Sequence, residues 1–224
     1  MLRYHVGTSK HWPGATVFWQ VDISGRVRTG KVMLYNPENG RRIKEPHNYI
    51  TWVHSLLKKE NFNLRQCLFG EHLLTSDQQR PVALVESEKS ALISSFYLPQ
   101  YLWIASGGKN GAFNRDAMSV LLFPDLGATD YWNSKMETIR SLGIEVSLFD
   151  FMERNATKEE RDAGYDIADF LLREETKEAI LNRLITLNPA LKTLVETFDL
   201  QLVDVKKAPF SATVQHAREG LFKR

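Results

Sequence analysis

Two carboxylates in this 224-residue sequence each follow an apolar run of strand length. Glu86 comes directly after residues 82–85, and Asp125 comes after residues 119–123 and one proline. If the two runs form neighbouring parallel strands, both carboxylates lie at the carboxyl edge of the sheet, where open α/β sheets bind ligands. Because carboxylate oxygens suit hard divalent cations, the spacing predicts a site for such a cation built on Glu86 and Asp125. The alternative for Asp125 is an ordinary acidic residue at the start of a helix.

Other acidic residues are candidates to complete this site. Glu88 lies on the same side as Glu86 if the strand persists that far, which makes it a third candidate metal ligand. Alternatively, Glu88 complements the dipole at the start of the following helix. Asp130 is a further supporting acid. Asp166 and Asp169 share a helix face, and they either add a distant ligand or cap the helix.

Candidate phosphate-binding groups fall in two places. The loop of Gly107, Gly108 and Lys109 offers backbone amides and a lysine, although it lacks the spacing of a P-loop. A predicted hairpin, residues 15–22 and 26–35 around a tight turn at 24–25, carries basic residues on its second strand. Strand alternation puts the basic residues on or near one face and leaves the apolar residues available for burial. The basic set is Arg26, Arg28 and Lys31, and the apolar set is Val27, Val32 and Leu34.

The sequence divides into three parts by pattern. Residues 1–80 predict a β-rich subdomain, with a short helix at 49–59, and they hold twelve Lys and Arg against six Asp and Glu. Residues 81–150 alternate strands with helices, which is typical of a parallel sheet with right-handed crossovers. Residues 151–224 predict helices. The fold class is therefore α/β, or α+β overall, and the basic first part next to an acidic strand edge favours a polyanionic partner.

Composition excludes several classes of protein. No apolar run approaches the roughly 20 residues that span a bilayer, so no membrane partner is expected. The amino-terminal residues lack the apolar segment of a signal peptide, and we expect a cytoplasmic location. A single cysteine, Cys67, rules out an internal disulfide and a cysteine-based zinc site within this chain, and its apolar setting predicts a small buried side chain.

Several motifs resemble those of the Toprim domain, the catalytic fold of bacterial-type DNA primases, topoisomerases and related nucleases. Residues 85–92, Val-Glu-Ser-Glu-Lys-Ser-Ala-Leu, resemble its first motif, in which a strand ends in Glu before a helix opening with Ala-Leu. The Gly107–Gly108 loop and the strand ending at Asp125 follow in the family's order. Residues 164–171 resemble a stretch found after the Toprim core in primase-like proteins. The likeness covers about residues 4–172 and is strongest to uncharacterised Toprim-like proteins of Bacteroides-type bacteria and their mobile elements.

The resemblance implies a function and a set of roles. Glu86 and Asp125 would be the catalytic pair in Mg²⁺-dependent phosphoryl or nucleotidyl transfer, or in cleavage, during DNA replication or mobile-element maintenance. The family's second motif is Asp-x-Asp, and only Asp125 is present here. A second interpretation is therefore a non-catalytic nucleic-acid-binding or replication-accessory module that keeps the scaffold. The expected partners are single-stranded DNA or RNA, nucleotides, and a zinc-ribbon or helicase protein on another chain.

Overall fold

The computed structural model describes residues 2–77, 79–108, 119–172, 181–182, 184–186 and 188–200. The chain forms two compact units, Met1–Ala168 and Asp169–Arg224. The first unit contains both an antiparallel and a parallel sheet, so the predicted mixed α/β class is confirmed. The predicted division into 1–80, 81–150 and 151–224 remains a prediction. No helix within the described ranges is long and apolar enough to cross a membrane.

The antiparallel sheet is a four-stranded meander in the order β1 (Val6–Ser9), β2 (Ala15–Val21), β3 (Val27–Met33) and β4 (Ile50–Trp52). One face packs around Ala15, Val17 and Val32. On the other face, Phe18 meets the ring of Phe69 edge-on at 5.7 Å between ring centroids. The sheet is therefore covered on both sides, which its β-branched and aromatic residues suit.

Two sequence expectations are wrong in this sheet. Val27 is 62% exposed instead of buried, because the β2–β3 register shifts between Gln20 and Val21 and Val27 pairs with Val21 at the turn end of the hairpin. The predicted helix at 49–59 begins only at Val53. Residues Ile50–Trp52 are extended because they pair with β3.

The parallel sheet has the strand order β6-β5-β7-β8, with β5 at Val82–Val85, β6 at Leu102–Ala105, β7 at Ser119–Leu122 and β8 at Glu145–Leu148. All residues of β5 and β6 are buried, as expected for parallel strands covered on both faces. The chain runs from β5 to β6 on one side and returns to β7 on the other side of β5. The carboxyl ends of β5 and β7 therefore border the topological switch point, where such sheets bind ligands.

Helices connect and cover the strands. The helices that begin in the first unit are α1 (Val53–Leu56), α2 (Leu73–Ser76), α3 (Glu88–Tyr97), α4 (Thr129–Ser141), α5 (Phe151–Asn155), α6 (Lys158–Ala163) and α7 (Ile167–Leu172). Helix α6 begins with a capping box, in which Glu160 N donates to Thr157 Oγ1 and Thr157 N donates to Glu160 Oε2. In the second unit, α8 spans Ala190–Phe198. The predicted helical carboxyl-terminal segment is thus mainly helical where it is described.

Candidate functional site

Glu86 stands at the centre of the carboxyl edge of the parallel sheet. It is 7% exposed and directly follows β5, the strand between β6 and β7. Its Oε1 accepts a hydrogen bond of 3.0 Å from the indole nitrogen of Trp132 in α4. Because α4 follows β7 in the chain, this bond joins the two strand ends that border the switch point. The sequence predicts the place of Glu86 but gives no sign of the indole that orients it.

Glu88 is the first residue of α3, and the structure pairs it with Lys31 of the antiparallel sheet. The lysine Nζ donates to Glu88 Oε2 and to the carbonyl oxygen of Gly107, each at 3.1 Å. Glu88 and Lys31 side chains are 1% and 12% exposed, so the ion pair is almost wholly shielded from water. Three groups that the sequence predicts separately, Lys31, Glu88 and Gly107, are thus in direct contact.

The second carboxylate oxygen of Glu88 is a buried acceptor without a donor among the described residues, and it lies close to Gly107. Within the described part of the chain, Glu88 Oε1 and Gln20 Oε1 are buried and accept no hydrogen bond. A Cβ added to Gly107 would lie 3.3 Å from Glu88 Oε1 and 3.8 Å from Gln20 Nε2. A buried acceptor without a donor costs free energy. A hydrogen-bond donor such as water beside Gly107 would satisfy Glu88 Oε1.

The predicted acids offer few groups to a divalent cation. No group of three or more His, Cys, Asp or Glu side chains is placed to share a metal ion in the ranges that the structure describes. Mg²⁺ is often held by one or two carboxylates with water and substrate phosphates, so a smaller set suffices. Glu88 already carries the compensating charge of Lys31, whereas Glu86 and the half-buried Asp125 follow adjacent strands. Glu86 and Asp125 are thus compatible with one cation, and the ligand roles of Glu86, Asp125 and Glu88 stay predictions.

Asp166 lies against the first turn of α3. Ser90 Oγ donates to its Oδ2 at 2.5 Å, and Ser90 is completely buried. Burial raises the pKa of the nearby Tyr35 well above its ordinary range, the charges of Glu88 and Asp166 add to the rise, and Arg42 opposes it. The phenol therefore stays protonated. The supporting role of Asp166 at the site stays a prediction.

The two arginines of the hairpin are bound to an acid that sequence reasoning missed. Asp22, 4% exposed, accepts from Arg26 Nε at 3.1 Å and from Arg28 Nε at 2.7 Å. Burial alone would raise the pKa of Asp22, but hydrogen bonds from the Arg26 backbone and from the Arg28 and Arg26 side chains outweigh it and lower that pKa. The signal that could have revealed this group is an acid four and six residues before two arginines across a tight turn.

The remaining predicted residues are less closely joined to the site. Gly108 accepts a hydrogen bond of 2.8 Å from Ser106 Oγ through its carbonyl oxygen, and Lys109 lies outside the described residues. Asp130 is exposed in the first turn of α4, and Asp169 belongs to the second unit.

Cys67 is buried as predicted. Its burial, and to a smaller extent the charge of Glu71, raise the pKa of its thiol to about 12. Such a thiol is not a ready nucleophile.

Among solved structures, the chain is distantly similar to primases. The primase of Aquifex aeolicus (zinc-binding and RNA polymerase domains) matches at 14% identity and a TM-score of 0.45, over 81% of this chain and 45% of that one. A DNA primase domain from Pseudomonas aeruginosa matches at 13% identity and 0.43, over 86% and 66%. A DnaG primase catalytic domain bound to ssDNA matches at 15% and 0.40, over 80% and 63%. The chain thus spans less than half of the first of these structures.

Comparison with protein families gives a closer assignment. No curated protein matches the chain. One family model matches residues 1–126, which include the antiparallel sheet, β5, β6 and the strand that leads to Asp125. The chain belongs to the family described as Domain of unknown function (DUF6371).

Proposed function

We propose that this chain is a primase-like Toprim protein that acts on nucleic acid at the carboxyl edge of its parallel sheet. The observation that carries the proposal is Glu86, a nearly buried acid fixed by Trp132 at the switch point of the sheet. Its neighbour across that point is Asp125, after β7. Both residues match the motif positions that the Toprim resemblance assigns to the acidic pair.

Glu86 and Asp125 would hold one Mg²⁺ or Mn²⁺. The bound cation supplies charge neutralisation at phosphate oxygens, which is the main requirement of phosphoryl transfer. The chain's own contribution is positioning: Trp132 holds one oxygen of Glu86, and the buried site limits the number of orientations that the carboxylate can adopt. The reaction we propose is nucleotidyl transfer or cleavage on single-stranded DNA or RNA.

Basic and amide groups near the edge would bind the phosphates. Lys31 uses two of its three N–H donors on Glu88 and Gly107, and Glu88 holds its ammonium in place. The amides of Gly107 and Gly108, with Lys109, complete the proposed phosphate-binding loop. Arg26 and Arg28 would contact the nucleic-acid backbone further along the strand, and their hydrogen bonds to Asp22 fix both side chains at the hairpin turn.

The setting we propose is DNA replication or maintenance of a mobile element in Bacteroides-type bacteria. This assignment rests on the motifs in residues 85–92 and 164–171. Template reading of the primase kind would come from outside these 224 residues, which hold a single cysteine, and we propose a zinc-ribbon or helicase protein as the partner that supplies it. Nucleotides are the proposed small-molecule partners, and the cytoplasm the proposed compartment.

A second candidate is a nucleic-acid-binding accessory module without catalysis. The observation in its favour is that only Asp125 of the family's Asp-x-Asp pair is present, while Glu88 is neutralised by Lys31. Incubating the protein with single-stranded DNA, nucleoside triphosphates and Mg²⁺ separates the two functions. New or shortened strands support the enzyme, whereas tight binding without any product supports the accessory module.

Calorimetric titration of Mg²⁺ and of Mn²⁺, with and without single-stranded DNA, tests the metal site. We expect wild type to bind the cation more tightly with DNA present, and Glu86→Gln to abolish that gain. The control is Glu145→Gln, which changes an exposed acid at the opposite end of the same sheet, at the start of β8, and should behave as wild type. Equal cation binding by wild type and Glu86→Gln would refute the site.

A further inference from the structure

A row of four aromatic rings lies on the antiparallel-sheet part of the first unit, and the proposed site does not use it. His11 contacts Trp12 with ring centroids 4.5 Å apart, and Trp12 meets Tyr49 edge-on at 5.3 Å. Tyr49 in turn stacks on His47 at 4.2 Å, with 28° between the ring planes. We call these four residues the ring row. Residues 11–12 and 47–49 come from separate loops, so folding alone brings the rings together.

The middle of the ring row is anchored and its ends are exposed. Trp12 is half-buried and packs against the cluster around Ala15, Val17 and Val32. Tyr49 is half-buried as well, and its backbone carbonyl accepts a hydrogen bond of 3.1 Å from Leu34 N. By contrast, His11 and His47 are exposed. The two middle rings are held in place by the core, and the two outer rings are open to solvent. A planar group can therefore stack on the outer rings without disturbing the core.

The two segments that carry the ring row, residues 10–12 and 36–49, have a net positive charge. A basic run at 41–44 pairs through Ile43 N with Leu34 O at 3.1 Å, while Tyr49 N donates to Ile43 O at 3.4 Å. The run therefore lies next to the strand end that supports Tyr49. These segments contain four cationic side chains and two acidic ones, and all six are exposed. The cations are Lys10, Arg41, Arg42 and Lys44, and the acids are Glu38 and Glu45.

We propose that the ring row binds the unpaired bases of single-stranded nucleic acid by stacking, with the neighbouring cations along its phosphate backbone. Every base has a π-face, so aromatic rings beside positive charge bind single strands with little dependence on sequence. Histidine rings take part in such stacking. The inference rests on the proposed function for its choice of partner, but it uses residues separate from Glu86 and Asp125. The ring row would hold the strand whose phosphates the sheet edge engages.

The test is fluorescence anisotropy of a labelled oligothymidylate of about 15 nucleotides against the full chain. His11→Ala combined with His47→Ala removes both exposed rings and leaves Trp12 and Tyr49 in place. We expect this variant to bind about tenfold more weakly, because one or two bases no longer stack on a protein ring. Phe96→Ala is the matched control, since Phe96 is an exposed aromatic residue, 82% accessible, on α3. It should keep wild-type affinity.

A charge variant gives a second, independent readout. Replacing Lys10 and Lys44 by Gln should reduce the slope of log affinity against log salt concentration by about 0.7 for each phosphate that the protein no longer neutralises. Circular dichroism should show wild-type melting for both double variants, because all four changed side chains are exposed.

Several results would overturn the inference. They are wild-type affinity in the histidine double variant, an equally large weakening in Phe96→Ala, tighter binding of duplex than of single strands, no oligothymidylate binding by wild type, or a changed oligomeric state in the histidine variant. The last would make the ring row a protein interface. Failure of the strand-edge proposal looks different: Glu86→Gln would leave cation binding unchanged while removal of the histidines still weakened oligothymidylate binding.

Discussion

The hairpin turn and the strand edge of the first unit neutralise their charges in different ways. At the turn, Asp22 binds Arg26 and Arg28, which follow it by four and six residues. At the edge, Lys31 binds Glu88 across 57 residues of sequence, and the pair is nearly buried. The turn network needs only the hairpin to form. The edge pair needs both sheets to be assembled, so it reports on the tertiary structure of the site.

This difference predicts a large effect for Lys31→Met. Removing the lysine leaves a buried carboxylate without its partner, which should lower the free energy of unfolding by about 3–5 kcal/mol. Urea denaturation measures the change. The double variant Lys31→Met with Glu88→Leu should recover most of this stability, because an apolar pair of similar volume often replaces a buried ion pair without cost. Equal instability of the single and double variants would show that the ion pair is not the cause.

At the turn, Asp22→Ala should cost less, about 1–3 kcal/mol, because it leaves backbone donors and two arginines that water can partly reach. The effect should depend on pH. The pKa of Asp22 is lowered in the folded state, so its contribution is complete above the unfolded value near pH 4 and is lost as pH falls through the lower folded value. The stability difference between wild type and Asp22→Ala should therefore shrink in acid. A difference that stays constant from pH 6 to about pH 2 would contradict this account.

Two glycines allow the regions to be compared at nearly the same positive φ. Gly25 at the turn has φ +76° and Gly107 at the edge has φ +77°. Alanine at either position should cost about 1–2 kcal/mol for the left-handed conformation. A Cβ at Gly25 meets nothing within 4 Å, whereas at Gly107 it lies 3.3 Å from Glu88 Oε1. We expect Gly107→Ala to be the more destabilising in thermal unfolding by a few tenths of a kcal/mol. Equal destabilisation would mean that Glu88 moves away freely.

Sequence patterns were sufficient for the local parts of this structure. Apolar runs that end before Glu86 and Asp125 predicted parallel strands and their shared edge, because strands inside a parallel sheet read as nearly continuous apolar runs. The burial of Cys67 was likewise predicted from its apolar neighbours in the sequence.

The features that the sequence did not predict depend on register or on distant pairing. A bulge between Gln20 and Val21 exposes Val27, and no residue type marks it. Lys31 was expected on the basic face with the arginines, but its pairing opposite Phe18 turns it toward Glu88. The bond from Trp132 to Glu86 joins residues 46 apart. Such pairings follow from how the sheets pack, which one sequence does not encode in any local pattern.

The most direct test of the central claim is NMR of the tryptophan indole N–H signals during titration with Mn²⁺, which broadens nearby protons. The Trp132 indole nitrogen lies 3.0 Å from Glu86 Oε1, whereas the Trp103 indole donates to Leu98 O at the opposite end of the sheet. We predict that the Trp132 signal broadens first, that Trp103 is little affected, and that Glu86→Gln removes the selectivity. A Trp132 signal that persists while others broaden, or equal broadening of both, would contradict a cation site at Glu86.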